Sequence, residues 1–216
     1  MNKAVVFDLD GTLLDTIPDI ADNVNLALEK FGYKKREYSE IRAFIGNGAK
    51  MLVKRCLGED VAEETVQACL EYYNQIYTAS KSPKTALFDG IEDVLVKLKQ
   101  KGYKLAILTN KPQPTTDEVY KTYLERFNFD LVVGQSPLVK CKPDKEAVLN
   151  ILKQLNVQPE NAYMVGDGET DVLTAVNAKM KCITVLWGYR DKDFLATFGA
   201  DTFANSPSEI LDFILV

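Results

Sequence analysis

The 216-residue sequence predicts an α/β protein, a doubly wound parallel sheet carrying a small all-helical insertion, and three observations lead there. Short continuous apolar runs recur along the chain, and each is followed by a segment of helical spacing. Runs without polar alternation are what strands buried on both faces look like, so they point to a parallel sheet covered by helices. One long stretch, residues 16–84, breaks the rhythm and carries helical periodicity alone.

Ala4–Phe7 is the first strand-like run. In the stretch after it, Ile20, Val24, Ala27, Leu28 and Phe31 share one helical face, Met51, Leu52, Arg55 and Cys56 a second, and Val66, Cys69, Leu70, Tyr73 and Ile76 a third. An ordinary crossover between parallel strands holds one helix, so this stretch reads as a small helical domain inserted at 16–84 into a core formed by 1–15 and 85–216. Ser80-Lys-Ser-Pro83 is the polar, proline-marked return. Ile91, Val94, Leu95 and Leu98 then form a helix that stops at Gly102. The apolar runs Leu105–Leu108 and Leu131–Val133 follow as strands. A helix with Ala147, Val148, Ile151, Leu152 and Leu155 leads to the strand Tyr163–Val165, and one with Val172, Ala175, Val176 and Ala178 leads to Ile183–Leu186 and a weaker Thr202–Ala204.

Composition limits the chemistry. The chain has no histidine, which excludes a Ser-His-Asp or Cys-His arrangement and histidine-ligated zinc. Any general acid or base must be a carboxylate, Lys, Tyr or Cys. With 31 acidic against 26 basic residues the net charge is −5, and the pI is near 5.0, which argues against nucleic acid or an anionic membrane held by bulk charge. The N-terminal apolar run ends in a carboxylate after four residues, and no stretch approaches the roughly 20 apolar residues of a membrane span, so a cytoplasmic protein is expected. Cys56, Cys69, Cys141 and Cys182 form no Cys-x-x-Cys pair and read as core or incidental thiols.

In an open parallel sheet ligands bind beyond the carboxyl ends of the strands. There the sequence places Asp8-Leu9-Asp10-Gly11-Thr12, Thr109-Asn110-Lys111 and Gly166-Asp167-Gly168-Glu169-Thr170-Asp171, with Lys142-Pro143 opening a further helix. Each alone would pass as a turn or a helix cap. Together they deliver acid, hydroxyl, base and acid to one crevice, which independent caps have no reason to do. Asp8, Asp10 and Asp167 offer hard oxygen ligands and no nitrogen or sulfur, a set that selects Mg2+ over zinc. Mg2+, a lysine and a hydroxyl suit a phosphoryl group. Asp8 and Asp10 fall on the same side of an extended segment, so one can attack phosphorus while the other handles the leaving-group proton.

In this order, Asp8-Leu-Asp-Gly-Thr-Leu13, Thr109-Asn110, Lys142-Pro143 and Gly166-Asp-Gly-Glu-Thr-Asp171 resemble the four motifs of the haloacid dehalogenase-like (HAD) hydrolases, and the resemblance covers the whole chain. It implies a Rossmann-like core under a helical cap of the C1 type. It also implies Asp8 as nucleophile, Asp10 as general acid and then base, Thr109 as phosphate ligand, and Lys142 steadying both Asp8 and the phosphate. Mg2+ would be held by the Asp8 and Asp167 carboxylates and the Asp10 backbone carbonyl, with Asp171 orienting these ligands or Lys142. A carboxylate at position 10 marks the phosphatases of the family, since its dehalogenases lack one. Gly168 departs from the commoner serine.

Arg42-Ala-Phe-Ile-Gly-Asn-Gly-Ala49 with Lys50–Arg55, and Thr109-Asn-Lys-Pro112, are similar to segments of phosphoglycolate phosphatases. Gly46, Asn47 and Gly48 sit where a helix N-terminus would present N–H groups to a substrate anion, or where a plain turn would join two helices. The reading is a Mg2+-dependent phosphomonoesterase for a small phosphorylated metabolite, phosphoglycolate first, acting as a monomer or homodimer. A pyrophosphatase, a nucleotide or sugar phosphatase and a β-phosphoglucomutase-like phosphotransferase share that chemistry. A non-catalytic binding protein is the reading from another class.

Overall fold

The computed structural model describes residues 2–215, so positions 1 and 216 of the expected core lie outside the described residues. The chain enters through strand β1 (Ala4–Phe7), makes a short strand β2 (Leu14–Asp15) and then runs through four helices, α1 (Ile17–Lys30), α2 (Tyr38–Phe44), α3 (Ala49–Leu57) and α4 (Glu63–Ser80). It returns by β3 (Ala86–Leu87), which pairs antiparallel with β2, so the outgoing and incoming chains are clasped as a two-stranded ribbon. There follow α5 (Ile91–Gln100), β4 (Lys104–Pro112), α6 (Gln113–Val119), β5 (Leu131–Gln135), α7 (Glu146–Leu155), β6 (Ala162–Gly166), α8 (Glu169–Ala178), β7 (Lys181–Val185), α9 (Lys192–Ala196), β8 (Phe203–Ala204) and α10 (Pro207–Ile214).

Six strands form one parallel sheet in the order β5-β4-β1-β6-β7-β8. The strand order reverses at β1, whose neighbours lead to opposite edges, and the crevice at its carboxyl end is where a ligand is expected. The residues of β1 are buried and alternate between two cores. Val5 and Phe7 pack with Ile91, Leu95 and Leu98 of α5 and Ile210 of α10. Ala4 and Val6 pack on the other face with Val148, Ile151 and Leu152 of α7 and Ala175 of α8. Each fully buried side chain of this kind contributes about 1.5–3 kcal/mol, which is why the short β1 is a firm platform.

Helices α1–α4 bury a core of their own, built from Val24, Leu28, Ile41, Val53, Val66 and Cys69 among others. The stripes differ in detail from the sequence reading. Met51 and Val176 are exposed, at 39% and 55%, while Val53 and Tyr77 are buried instead. Tyr77 follows Tyr73 by four residues and widens the expected α4 stripe, while Leu70 and Ile76 pack at its edge. No described helix is long and apolar enough to cross a membrane. All four cysteines are free, and burial pushes the Cys56 thiol up to about 12 and Cys69 up to about 11, so both behave as inert core groups.

Candidate active site

Asp8 is the first residue beyond β1, and its N–H donates to the Val165 carbonyl at 2.8 Å, an extension of the β1–β6 ladder. That bond fixes the backbone on which the carboxylate stands. Lys142 arrives from the loop before α7 and brings its Nζ to 2.8 Å from Asp8 Oδ1 and 2.6 Å from Asp171 Oδ1. The first contact is an ion pair without hydrogen-bond alignment, since Asp8 Oδ1 is buried with no hydrogen-bond partner. Asn110 sets the lysine in place: its Oδ1 accepts the Lys142 N–H at 2.8 Å, and its Nδ2 donates to the carbonyls of Lys142 at 3.1 Å and Gly46 at 3.3 Å. Thr109 is buried beside it, with Oγ1 accepting the Lys111 N–H.

Asp8, Asp167 and Asp171 each place a carboxylate oxygen within 4.8 Å of the others. Asp167 is braced on both oxygens, by the Thr12 hydroxyl at 3.1 Å and the Tyr189 N–H at 2.8 Å. Asp171, at the start of α8, accepts the Gly168 N–H on Oδ2 while Oδ1 takes Lys142. This crowding depends on absent side chains. A Cβ on Gly11 would lie 2.5 Å from Asp167 Oδ2, and one on Gly166 would lie 2.2 Å from the Asp171 carboxyl carbon.

Burial, reinforced by Asp171 and opposed by Lys142, pushes the Asp8 carboxyl up to about 7. Burial and the Asp8 charge push Asp167 up to about 8. Burial alone would lower the Lys142 ammonium, but Asp171 and Asp8 outweigh it and hold the group charged. Three carboxylates against one lysine leave negative charge in excess, and Asp8 Oδ1 has an unfilled acceptor. Hard oxygen donors in that state fit a divalent cation of the Mg2+ kind.

Asp10 turns away from that group. Its Oδ1 accepts the Thr16 hydroxyl at 2.7 Å, and Lys111 Nζ reaches Oδ1 at 2.9 Å and Oδ2 at 3.2 Å. Lys111 also donates to the Tyr77 hydroxyl of α4 at 2.9 Å. Asp8, Asp10, Thr109, Asn110, Lys142 and Asp167 line one cavity, as do Gly46 and Gly48 from the helical segment. Asn47 is engaged otherwise, its Nδ2 donating to Glu169 and its Oδ1 accepting Arg55. The sequence places Lys111 at the strand end without giving it a role, and does not point to Tyr77, Tyr189 or Arg190; all four also line the cavity. Lys111 had a signal, because it continues the strand that carries Thr109 and Asn110.

A switch-point crevice holding a strand-end carboxylate, a buried lysine and an acidic triad makes this an α/β protein with a site suited to a divalent cation and an anionic group. Residues 5–185 match the model of the haloacid dehalogenase-like hydrolase family, and the chain belongs to that family. It is 36% identical to phosphoglycolate phosphatase 1 of Pseudomonas aeruginosa over 87% of this chain and 70% of that one. It is 33% identical to the phosphoglycolate phosphatase of Psychrobacter arcticus over 97% and 91% of the two chains. Among solved structures, a Lactobacillus delbrueckii subsp. bulgaricus protein provisionally named a phosphoglycolate phosphatase superposes with a TM-score of 0.93 at 30% identity, covering 99% of each chain. The protein is therefore an enzyme of this hydrolase family, similar over nearly its whole length to phosphatases.

Proposed function

We propose that the enzyme is a Mg2+-dependent phosphomonoesterase for a small anionic ester, phosphoglycolate in the first place, and that residues 16–84 act as a cap over its core. The observation that carries this reading is the cluster of Asp8, Asp167 and Asp171 at the end of β1, with Lys142 paired to Asp8 and Asp171. The named relatives support the choice of substrate.

Bound by the carboxylates of Asp8 and Asp167 and the backbone carbonyl of Asp10, Mg2+ would neutralise charge on the phosphoryl oxygens and lower the repulsion between substrate and aspartates. Thr109 and Lys142 hold the phosphoryl group. A carboxylate oxygen of Asp8 attacks phosphorus, the bond to the leaving oxygen breaks, and Asp10 gives that oxygen its proton. Asp10, now a carboxylate, takes a proton from water, whose oxygen attacks the aspartyl phosphate; orthophosphate leaves and Asp8 is restored. Lys111 and Thr16 fix the rotamer of Asp10 for both steps.

Two assays test the reading. Hydrolysis of p-nitrophenyl phosphate should require Mg2+ and fall by about 10^4-fold or more in Asp8→Asn, as for loss of a nucleophile. In a panel of phosphorylated metabolites, phosphoglycolate should show the highest kcat/KM; sugar phosphates ranking above it would remove that substrate.

A further inference from the structure

We propose that Lys111 selects substrates by the charge on their leaving group, its ammonium pairing with a carboxylate carried by the departing alcohol. The inference rests on the phosphatase reading and deepens it. Three cationic side chains line the cavity among the described residues: Lys142, Arg190 and Lys111. Lys142 is held between two carboxylates, Asp8 and Asp171. Arg190 pairs with Glu169 and directs its other donors to the carbonyls of Ile45 and Arg42. Lys111 has one acidic partner, Asp10, and that carboxylate is shared with the Thr16 hydroxyl.

Position separates Lys111 from Lys142. Lys142 stands at the carboxylate that would attack phosphorus, whereas Lys111 stands at Asp10, the group that would meet the leaving oxygen. A carboxylate whose carbon is two bonds beyond that oxygen would lie on the Asp10 side of the cavity, toward the Lys111 ammonium and away from the acidic triad. The side chain is 3% exposed, and Ile20, Leu52, Tyr73 and Pro112 line the same cavity, so water screens the charge weakly. Tyr77 holds the ammonium by its hydroxyl at 2.9 Å and by its ring, whose centre lies 4.6 Å away. A lysine fixed in this way is a pre-oriented counter-ion, and binding by it costs little side-chain entropy.

The competing role is structural, with Lys111 only orienting Asp10, and the two roles separate on a matched pair of esters. Phosphoglycolate and ethyl phosphate are close in size and differ in carrying a carboxylate or a methyl group. For wild type, phosphoglycolate should have the higher kcat/KM. Lys111→Met and the more conservative Lys111→Gln should cut that preference by about tenfold or more, chiefly through KM, since a buried charge partner is lost. Lys111→Arg should keep most of it. In an Asp8→Asn background, calorimetric titration should show the same loss of affinity for phosphoglycolate when Lys111→Gln is added. If both esters decline together, or if the preference survives Lys111→Gln, the proposal is overturned while phosphoglycolate stands as substrate. A wild type that hydrolyses both esters equally well overturns the substrate reading and the proposal with it.

Discussion

Lys142 and Asp171 form an ion pair closed to solvent, with Nζ and Oδ1 2.6 Å apart and side chains 1% and 0% exposed. Neither partner can turn to water if the other is lost. Removing one member of such a pair typically costs about 3–5 kcal/mol, because a buried charge is left without compensation. Lys142→Met should therefore destabilise the protein by about that amount in denaturant unfolding, as well as abolish turnover. The double variant Lys142→Met/Asp171→Leu should recover part of the stability and none of the activity. A Lys142→Met protein as stable as wild type would show that the acidic group does not need its lysine.

The same crowding predicts how pH acts on the metal-free enzyme. Asp8 and Asp167 titrate near 7 and 8 when folded against 3.8 as free groups, so the folded state binds protons more tightly than the unfolded chain between about pH 4 and pH 8. Stability from these groups is complete below pH 4 and is lost as pH rises through that window. Thermal melts in EDTA should show their contribution declining from pH 5 to pH 8. Added Mg2+ should raise Tm more at pH 8 than at pH 5, since a cation restores what the deprotonated carboxylates lose. Asp8→Asn should melt higher than wild type in EDTA at pH 8.

Much of this architecture was legible in the chain, and the reasons are physical. Ala4–Phe7 and Tyr163–Val165 are uniformly apolar because both faces of a central parallel strand are covered. The site motifs were legible for a related reason, since carboxylates directly after such runs have one crevice to face. Lys111 was hard to read because β4 runs on through Thr109, Asn110 and Lys111, which are polar yet buried. Hydropathy ends that strand at Leu108, four residues early. Tyr189 and Arg190 follow β7 in a loop with no periodic signal, and only the tertiary fold brings them to Asp167 and Glu169. The small strands β2 and β3 have two residues each, too short for any pattern.

Two glycines in the motifs should differ in their tolerance of substitution. Gly11 has φ +86°, and a Cβ there would stand 2.5 Å from an Asp167 carboxylate oxygen. Gly11→Ala combines backbone strain with a displaced Asp167, and should lower both stability and Mg2+ affinity. Gly168 has φ −117°, and its Cβ would meet Asp171 Oδ2 at 3.4 Å, an ordinary contact. Gly168→Ser should fold as wild type within about 0.5 kcal/mol, the range of substitutions that disturb no buried feature. Parallel melts and Mg2+ titrations of the two variants decide this; equal behaviour would mean that the Gly11 approach is not limiting.

Arg190 ties the helical segment to the core. Its Nη2 donates to the Ile45 carbonyl at 2.5 Å and its Nη1 to the Arg42 carbonyl at 3.3 Å, while Nε pairs with Glu169 at 3.2 Å. Arg42 returns the contact through the Gly188 carbonyl at 2.7 Å, and Asn47 reaches Glu169 at 3.3 Å. These bonds join the segment 42–47, which leads to α3, to the loop beyond β7, at the rim of the cavity that holds Asp8. If residues 16–84 close over the core, the charged hydrogen bonds of Arg190 are formed on closing and contribute to substrate binding. Each such bond is worth about 1.5–3 kcal/mol when buried and less at a partly open rim, so Arg190→Ala should raise KM by about tenfold. Tm should change little, because the cores beneath α1–α4 and beneath the sheet are built from separate sets of residues. Steady-state kinetics of Arg190→Ala and Glu169→Gln provide the check. A fall in kcat at constant KM would assign Arg190 to the chemical step instead, and unchanged kinetics would mean that these contacts do not control access.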